Sequence, residues 1–163
     1  MLRVSERTIR MFSIYSLLIG IAYLLVGIIE FIGGLLAIIP SKEASMLYGF
    51  PPDLLGGFSA IVISLIFLGG AIALPKGKQE ALGYPIVGAI LGGIFALAYL
   101  LIIIADGVSA CLSVLEGEPW SWSWLVSEST IGLGILRPEI WLFLVSAPLG
   151  YSSYRRVKTR EVS

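Results

Sequence analysis

Four long apolar stretches limit what this chain can fold into. Met11–Ile39, Leu54–Leu74 and Ala81–Ala105 are nearly free of charge, and a less regular stretch runs from about Thr130 to Tyr154. A helix needs roughly 20 apolar residues to cross a bilayer. Hydrophobic residues make up 57% of the chain and charged residues 13%, unlike a soluble domain. We expect an all-α integral membrane protein, with residues 1–163 forming a single bundle of four transmembrane helices.

The basic residues indicate how these helices are oriented. Of 11 Lys and Arg residues, all but Lys42 and Arg137 lie near the N-terminus, in the loop after the second stretch or in the C-terminal tail. The positive-inside rule therefore predicts a multi-pass cell-membrane protein with both termini in the cytoplasm. Because the basic residues serve as topology signals, we expect no nucleic-acid partner. The predicted external loops are acidic and include Asp53, Glu116, Glu118 and Glu139.

The chain contains an internal repeat. An ungapped offset of 76 residues pairs Ala22–Leu25 with the identical Ala98–Leu101 and places Glu30 on Asp106. The offset extends through the second helix of each pair, so we interpret it as a duplication. The two copies span about residues 11–75 and 87–151. Because each copy holds two helices, both start from the same side, which predicts two homologous hairpins related as a parallel repeat.

Two acids, Glu30 and Asp106, lie at corresponding ends of the first and third stretches. A carboxylate inside a membrane protein is costly and suggests a functional site with a partner. Tyr23 and Tyr99, two turns away on the same helix faces, and Arg137 are the candidate partners. Two interpretations remain open. The acids form a proton or cation site, or Arg137 pairs with one of them and only fixes the helix packing.

Glycines line one face of two predicted helices. Gly20, Gly27 and Gly34 recur every seven residues in the first stretch, and Gly88 and Gly92 form a GxxxG motif in the third. Small residues let membrane helices approach each other closely. We predict that these glycines make helix contacts, either within the bundle or with a second copy or another subunit.

A tryptophan-rich segment lies in the predicted external loop at about residues 116–129. Its motif PWSWSW contains Trp120, Trp122 and Trp124. Tryptophan is enriched where membrane meets water, so we predict an interfacial role for these three side chains. An aromatic platform for a ligand is the alternative.

The sequence lacks the residues that most enzymes of this size use. It contains no histidine and a single cysteine, which excludes a Ser–His–Asp triad and the usual haem and metal ligand. It also lacks a phosphate-binding GxxxxGK[ST] motif. We therefore expect no enzymatic activity, no metal and no cofactor. The scarcity of Asn, Gln, Cys and Met is typical of proteins from hot environments and suggests a thermophilic archaeon.

The first apolar stretch contains YLLVGIIE, from Tyr23 to Glu30, after an early basic residue. Over about one helix it is loosely similar to the DoxX-like families of small four-helix membrane proteins, some of which are linked to quinone or sulfur metabolism. This resemblance implies a quinone- or lipid-binding membrane subunit. Tyr23 and Tyr99 would then line an apolar cleft.

Three functions are compatible with these features. The first is a non-catalytic membrane subunit or homo-oligomer that packs through its glycine-rich helix faces, with membrane lipids and other helices as partners. The second is a proton- or cation-coupled transporter or channel that uses Glu30 and Asp106. The third is the DoxX-like quinone- or lipid-binding subunit. The sequence favours the first, because it has two contact faces and few catalytic groups.

Overall fold

A computed structural model describes residues 6–38, 51–76, 79–126 and 132–161. These residues form the helices α1 (Glu6–Ala37), α2 (Leu54–Ala73), α3 (Gly83–Leu115), α4 (Ser123–Val126) and α5 (Pro138–Glu161). Short 3₁₀ helices lie at Leu74–Lys76, Gln79–Leu82 and Gly134–Leu136. The predicted topology signal at Lys42, the end of the tryptophan loop and the predicted start of the fourth span at Thr130 lie outside the described residues.

Three of the described helical segments are long and apolar enough to cross a membrane. They are Glu6–Ala37, Leu54–Lys76 and Glu80–Leu115. Three of the predicted apolar stretches thus form helices that are capable of crossing a membrane. α5 is not among them, because the second half of this helix is polar and basic, with the sequence SSYRRVKTRE. α5 begins at Pro138, where the missing N–H of proline does no harm in the first turn of a helix.

The long helices pack side by side. α1 packs along α2, and α3 packs along α5. α2 also contacts α3, and α1 contacts α5, so the four helices close into a ring. Apolar side chains on their inner faces form the central core, which consists of Ile19, Tyr23, Ala60, Ile63, Phe67 and Leu149.

The closest helix approach lies between α1 and α2. A Cβ added to Gly27 would lie 2.8 Å from the carbonyl oxygen of Gly57, so the two backbones touch without a side chain between them. Gly20 and Gly34 also face α2, against Leu68 and Leu54. We call this interface, lined by Gly20, Gly27, Gly34 and Gly57, the glycine seam. These glycines make their contacts within one chain.

Two serines of α1 add hydrogen bonds to the same interface. The hydroxyls of Ser13 and Ser16 donate to the carbonyl oxygens of Ala71 and Phe67, each at 2.7 Å. Because membrane hydrocarbon offers no hydrogen-bond partners, a buried hydroxyl must find one inside the protein. The polar groups of these two serines are therefore satisfied by α2.

Candidate functional site

Arg137, the residue before α5, is buried at the end of the bundle away from the basic tail. Its backbone is extended, with a ψ of 130°, as expected for a residue that precedes proline. Its N–H donates to the carbonyl oxygen of Gly134 at 3.2 Å. The residue is only 1% exposed. Because a guanidinium does not lose its proton in proteins, this site holds a buried positive charge that requires negative partners.

Three carboxylates approach this guanidinium. Arg137 Nη2 lies 2.8 Å from Asp53 Oδ2 and 3.4 Å from Glu30 Oε1. Arg137 Nε lies 3.5 Å from Glu139 Oε2. Glu30 and Glu139 are 1% and 3% exposed, whereas the side chain of Asp53 is 24% exposed. Asp53 is therefore the carboxylate of this group that reaches the surface.

Asp53 and Tyr99 connect the charges to the helices. Asp53 caps α2, because its Oδ1 accepts from the N–H of Gly56 at 2.7 Å. Its Oδ2 accepts from the Tyr99 hydroxyl of α3 at 3.0 Å. The Tyr99 ring centroid also lies 4.1 Å from Cζ of Arg137, in a cation–π contact. We call Glu30, Asp53, Tyr99, Arg137 and Glu139 the carboxylate cluster. It joins α1, α2, α3 and α5.

Asp53 is held in its charged form. Burial raises the pKa of its carboxyl, but the N–H of Gly56, the guanidinium of Arg137 and the hydroxyl of Tyr99 all stabilise the carboxylate. These donors outweigh burial, so the pKa of Asp53 lies below its usual range. The positive charge of Arg137 is thus compensated first by Asp53, which also makes the shortest ion pair.

Other polar atoms of the site have no hydrogen-bond partner among the described residues. They are Glu30 Oε2, both carboxyl oxygens of Glu139 and the hydroxyl of Tyr23. Tyr23, Tyr99 and Glu139 line a crevice that is too narrow to admit a water molecule. A buried carboxylate oxygen without a donor is costly. Glu30 and Glu139 both approach Arg137, so the two acids lie near each other in this buried site.

The structure brings several of the predicted site residues together. Glu30, Tyr99 and Arg137 belong to the carboxylate cluster, and Tyr23 lines the crevice beside it. Of the two pairings considered for Arg137, the structure contains the ion pair with Glu30. Asp106 is half-buried further along α3 and has an interaction of its own.

Asp53 and Glu139 were not among the predicted site residues. The expectation that Glu139 lies in an external loop is wrong, because this residue lies in the first turn of α5 and is buried against Arg137. A signal for Asp53 was present, since an aspartate directly before an apolar helix is a typical N-cap. For Glu139 there was none beyond its position two residues after Arg137. Glu116 and Glu118 are exposed.

The predicted contact glycines of α3 also face the interior of the bundle. A Cβ at Gly88 would lie 2.8 Å from the ring of Phe67 on α2, and a Cβ at Gly92 would lie 2.8 Å from the hydroxyl of Tyr23 on α1. Because Gly92 has no side chain, the Tyr23 hydroxyl can occupy this space next to the crevice. The GxxxG motif positions side chains of two other helices.

The three tryptophans form a cluster over the end of α3. Trp120 and Trp122 are exposed and their ring centroids lie 5.2 Å apart. Trp124 is half-buried and packs with Tyr99, Ile103 and Ile140. The tryptophan segment therefore covers the side of the bundle that holds the carboxylate cluster. The interfacial role of its exposed rings remains a prediction.

The apolar helices and the charges enclosed between them define an all-helical integral membrane protein. Residues 7–158 match the MJ0565 integral membrane domain, and the chain belongs to that family. No match was found among curated proteins or among solved structures. The family description gives the membrane location and no activity, so function must be argued from the carboxylate cluster.

Proposed function

We propose that this protein binds and releases a proton at the carboxylate cluster, as a small proton-coupled transporter or channel. The observation that carries the proposal is the surplus of buried acid. Three carboxylates face one guanidinium, and three oxygens of Glu30 and Glu139 have no donor within the described part of the chain.

The electrostatic argument starts from the number of charges. With all acids ionised, the cluster would carry two uncompensated negative charges, although Glu30 and Glu139 are almost fully buried. Isolated buried charges cost many kcal/mol, and acids in such places take up a proton instead. Asp53 is held as the charged partner of Arg137, so the exchangeable proton belongs to the pair formed by Glu30 and Glu139.

The site also offers a direction for proton movement. Asp53 is the partly exposed member of the cluster and connects the surface to Arg137. On the opposite side, the Tyr23 hydroxyl lies by the crevice that Glu139 also lines. A proton would thus approach past Asp53, bind between Glu30 and Glu139, and leave past Tyr23.

The dimensions of the crevice favour a proton over the other ligands considered. A hydrated cation does not fit into a space that excludes water. A quinone between Tyr23 and Tyr99, as the DoxX-like resemblance implies, would have to displace their side chains. Asp106 remains a candidate for a second proton position, related to Glu30 by the repeat.

The proposal includes α5 as a fourth membrane span, with both termini in the cytoplasm. α5 packs along α3, where Gly93 would place a Cβ 2.9 Å from the ring of Phe143. From Pro138 to Tyr154 it covers about 25 Å at 1.5 Å per residue, close to the hydrocarbon thickness. The ring of helices, with α1 beside α2 and α3 beside α5, also suits the two-hairpin repeat.

The subunit hypothesis is a weaker proposal. It required glycine faces that remain free for contacts with other chains. However, the predicted contact glycines all face other helices of the same chain, namely Gly20, Gly27, Gly34, Gly88 and Gly92. An oligomer would have to form through other surfaces.

Proton flux into proteoliposomes tests the proposal. The purified protein is reconstituted with a pH-sensitive dye inside the vesicles, and proton entry is driven by a potassium diffusion potential. We expect flux above that of empty vesicles with the wild type. We expect its loss with Glu30→Gln and with Glu139→Gln, because glutamine has the shape of a protonated glutamate but cannot release a proton.

Glu116→Gln is the matched control, because Glu116 is exposed and outside the cluster. It should keep wild-type flux. If wild-type vesicles take up protons no faster than empty ones under either sign of the potential, the cluster is only a structural ion network. Infrared difference spectra of the same samples give an independent check, since a protonated carboxyl band should vanish with Glu30→Gln or Glu139→Gln.

A further inference from the structure

An apolar groove of about 380 Å³ runs between α3 and α5. The small residues Ala89, Gly93 and Ala147 form its floor. The larger side chains of Ile90, Phe143 and Tyr154 form its walls and one end. Because α3 is one of the membrane-capable helices and Ile90 is exposed, the groove opens towards the hydrocarbon of a surrounding bilayer.

The groove continues into a basic stripe on α5. At 100° per residue, Ala147, Tyr151, Tyr154 and Lys158 lie within about 60° of one another around the helix. Arg155 lies beside this stripe. Both tyrosines and both basic residues are exposed. The stripe therefore passes from apolar to aromatic to positively charged as it leaves the groove.

We propose that this groove binds an anionic phospholipid. One acyl chain would lie on Ala89, Gly93 and Ala147, with its phosphate at Lys158 and Arg155. Tyrosine favours the boundary between hydrocarbon and head groups, and basic residues at that level attract anionic lipids. The order of side chains along the groove matches the order of chemical groups along such a lipid.

The charges argue against a second copy of this chain as the occupant. A symmetric dimer that used this face would bring the Lys158 and Arg155 of both chains close together. Like charges at an interface repel, whereas an anionic head group neutralises them. The lipid proposal does not depend on proton transport at the carboxylate cluster, which lies at the other end of the bundle.

Native mass spectrometry of the full chain in detergent tests this inference. The protein is titrated with phosphatidylglycerol and with phosphatidylcholine of identical acyl chains. We expect one phosphatidylglycerol to be retained in preference to phosphatidylcholine. Arg155→Gln with Lys158→Gln should reduce this preference roughly thirtyfold, because each basic residue near a membrane surface contributes about 1 kcal/mol. Ala147→Leu, which fills the groove, should weaken binding of both lipids.

Two matched variants separate this site from general effects. Arg7→Gln with Arg10→Gln removes two exposed charges on α1, and Ala98→Leu enlarges an exposed alanine outside the groove. Both should retain the lipid as the wild type does. If Ala147→Leu does not fold, Ile90→Trp blocks the groove from its exposed rim. If a folded groove variant binds phosphatidylglycerol as the wild type does, the proposal is overturned. It is also overturned if the wild type forms a dimer that the groove variant does not form.

Discussion

The glycine seam and the carboxylate cluster hold the same bundle together in opposite ways. In the glycine seam, the backbones of α1 and α2 touch, and the hydroxyls of Ser13 and Ser16 are satisfied by backbone carbonyls. In the carboxylate cluster, the charged side chains of Glu30, Asp53 and Glu139 meet around Arg137, and several oxygens have no donor within the described residues. The first region is closed to ligands, whereas the second has unused hydrogen-bonding capacity.

This difference indicates where function is located. An apolar interface whose polar groups are satisfied gains no stability from a ligand. We therefore expect the glycine seam to be destabilised only by substitutions that add a side chain. A buried cluster with unsatisfied carboxylate oxygens would be stabilised by binding a proton. Its stability and its proton binding should therefore depend on each charge.

The largest effect is expected from removing the positive charge of the cluster. Arg137→Gln leaves Glu30, Asp53 and Glu139 without their cation, and breaking a buried ion pair by removal of one partner typically costs about 3–5 kcal/mol. The free energy of unfolding can be measured by SDS titration in mixed micelles, followed by circular dichroism. Arg7→Gln, at an exposed position of α1, should change the free energy of unfolding by less than about 0.5 kcal/mol. Equal effects of the two variants would show that the cluster does not hold the helices.

An intermediate effect is expected in the glycine seam. Gly27→Ala places a Cβ 2.8 Å from a backbone oxygen of α2, and such overpacking costs about 1–3 kcal/mol. Gly83→Ala is the matched control, because a Cβ there has no atom within 4 Å and alanine favours helix. The same SDS titration should show destabilisation for the first variant and none for the second. A neutral Gly27→Ala would mean that α1 and α2 can separate at no cost.

Much of the helical architecture could be predicted from the sequence, because membrane spans depend on local composition. The apolar stretches that begin near Met11, Leu54 and Ala81 correspond to described helices. The predicted fourth span is not confirmed in the same way, because α5 is not among the membrane-capable helices of the described residues. Its polar second half lowers its hydropathy, and its packing against α3 depends on the tertiary structure.

The candidate site could be predicted only in part. Glu30 and Arg137 stand out because charges are rare in apolar surroundings, and the structure pairs them. Asp53 has the local signal of an N-cap, but nothing local in the sequence indicates that Asp53 or Glu139 contacts a buried arginine. Their role arises because Asp53 and Arg137, which directly precede α2 and α5, form an ion pair, although more than sixty residues separate the two helices in sequence.

The smallest effect is expected at the exposed side of the cluster. Asp53→Asn keeps a good N-cap for α2 but removes a negative charge. The surplus of acid around Arg137 falls at the same time, so the variant should lose about 1 kcal/mol or less at neutral pH. Because the pKa of Asp53 is lower in the folded protein than its ordinary value of 3.8, its stabilisation is present above pH 3.8 and disappears as the pH falls through the folded value. SDS titrations in this acid range should therefore show a decline in wild-type stability that is shallower in Asp53→Asn. If Asp53→Asn instead costs as much as Arg137→Gln, then the charge of Asp53 is not in surplus, and Glu30 and Glu139 have no need of an added proton.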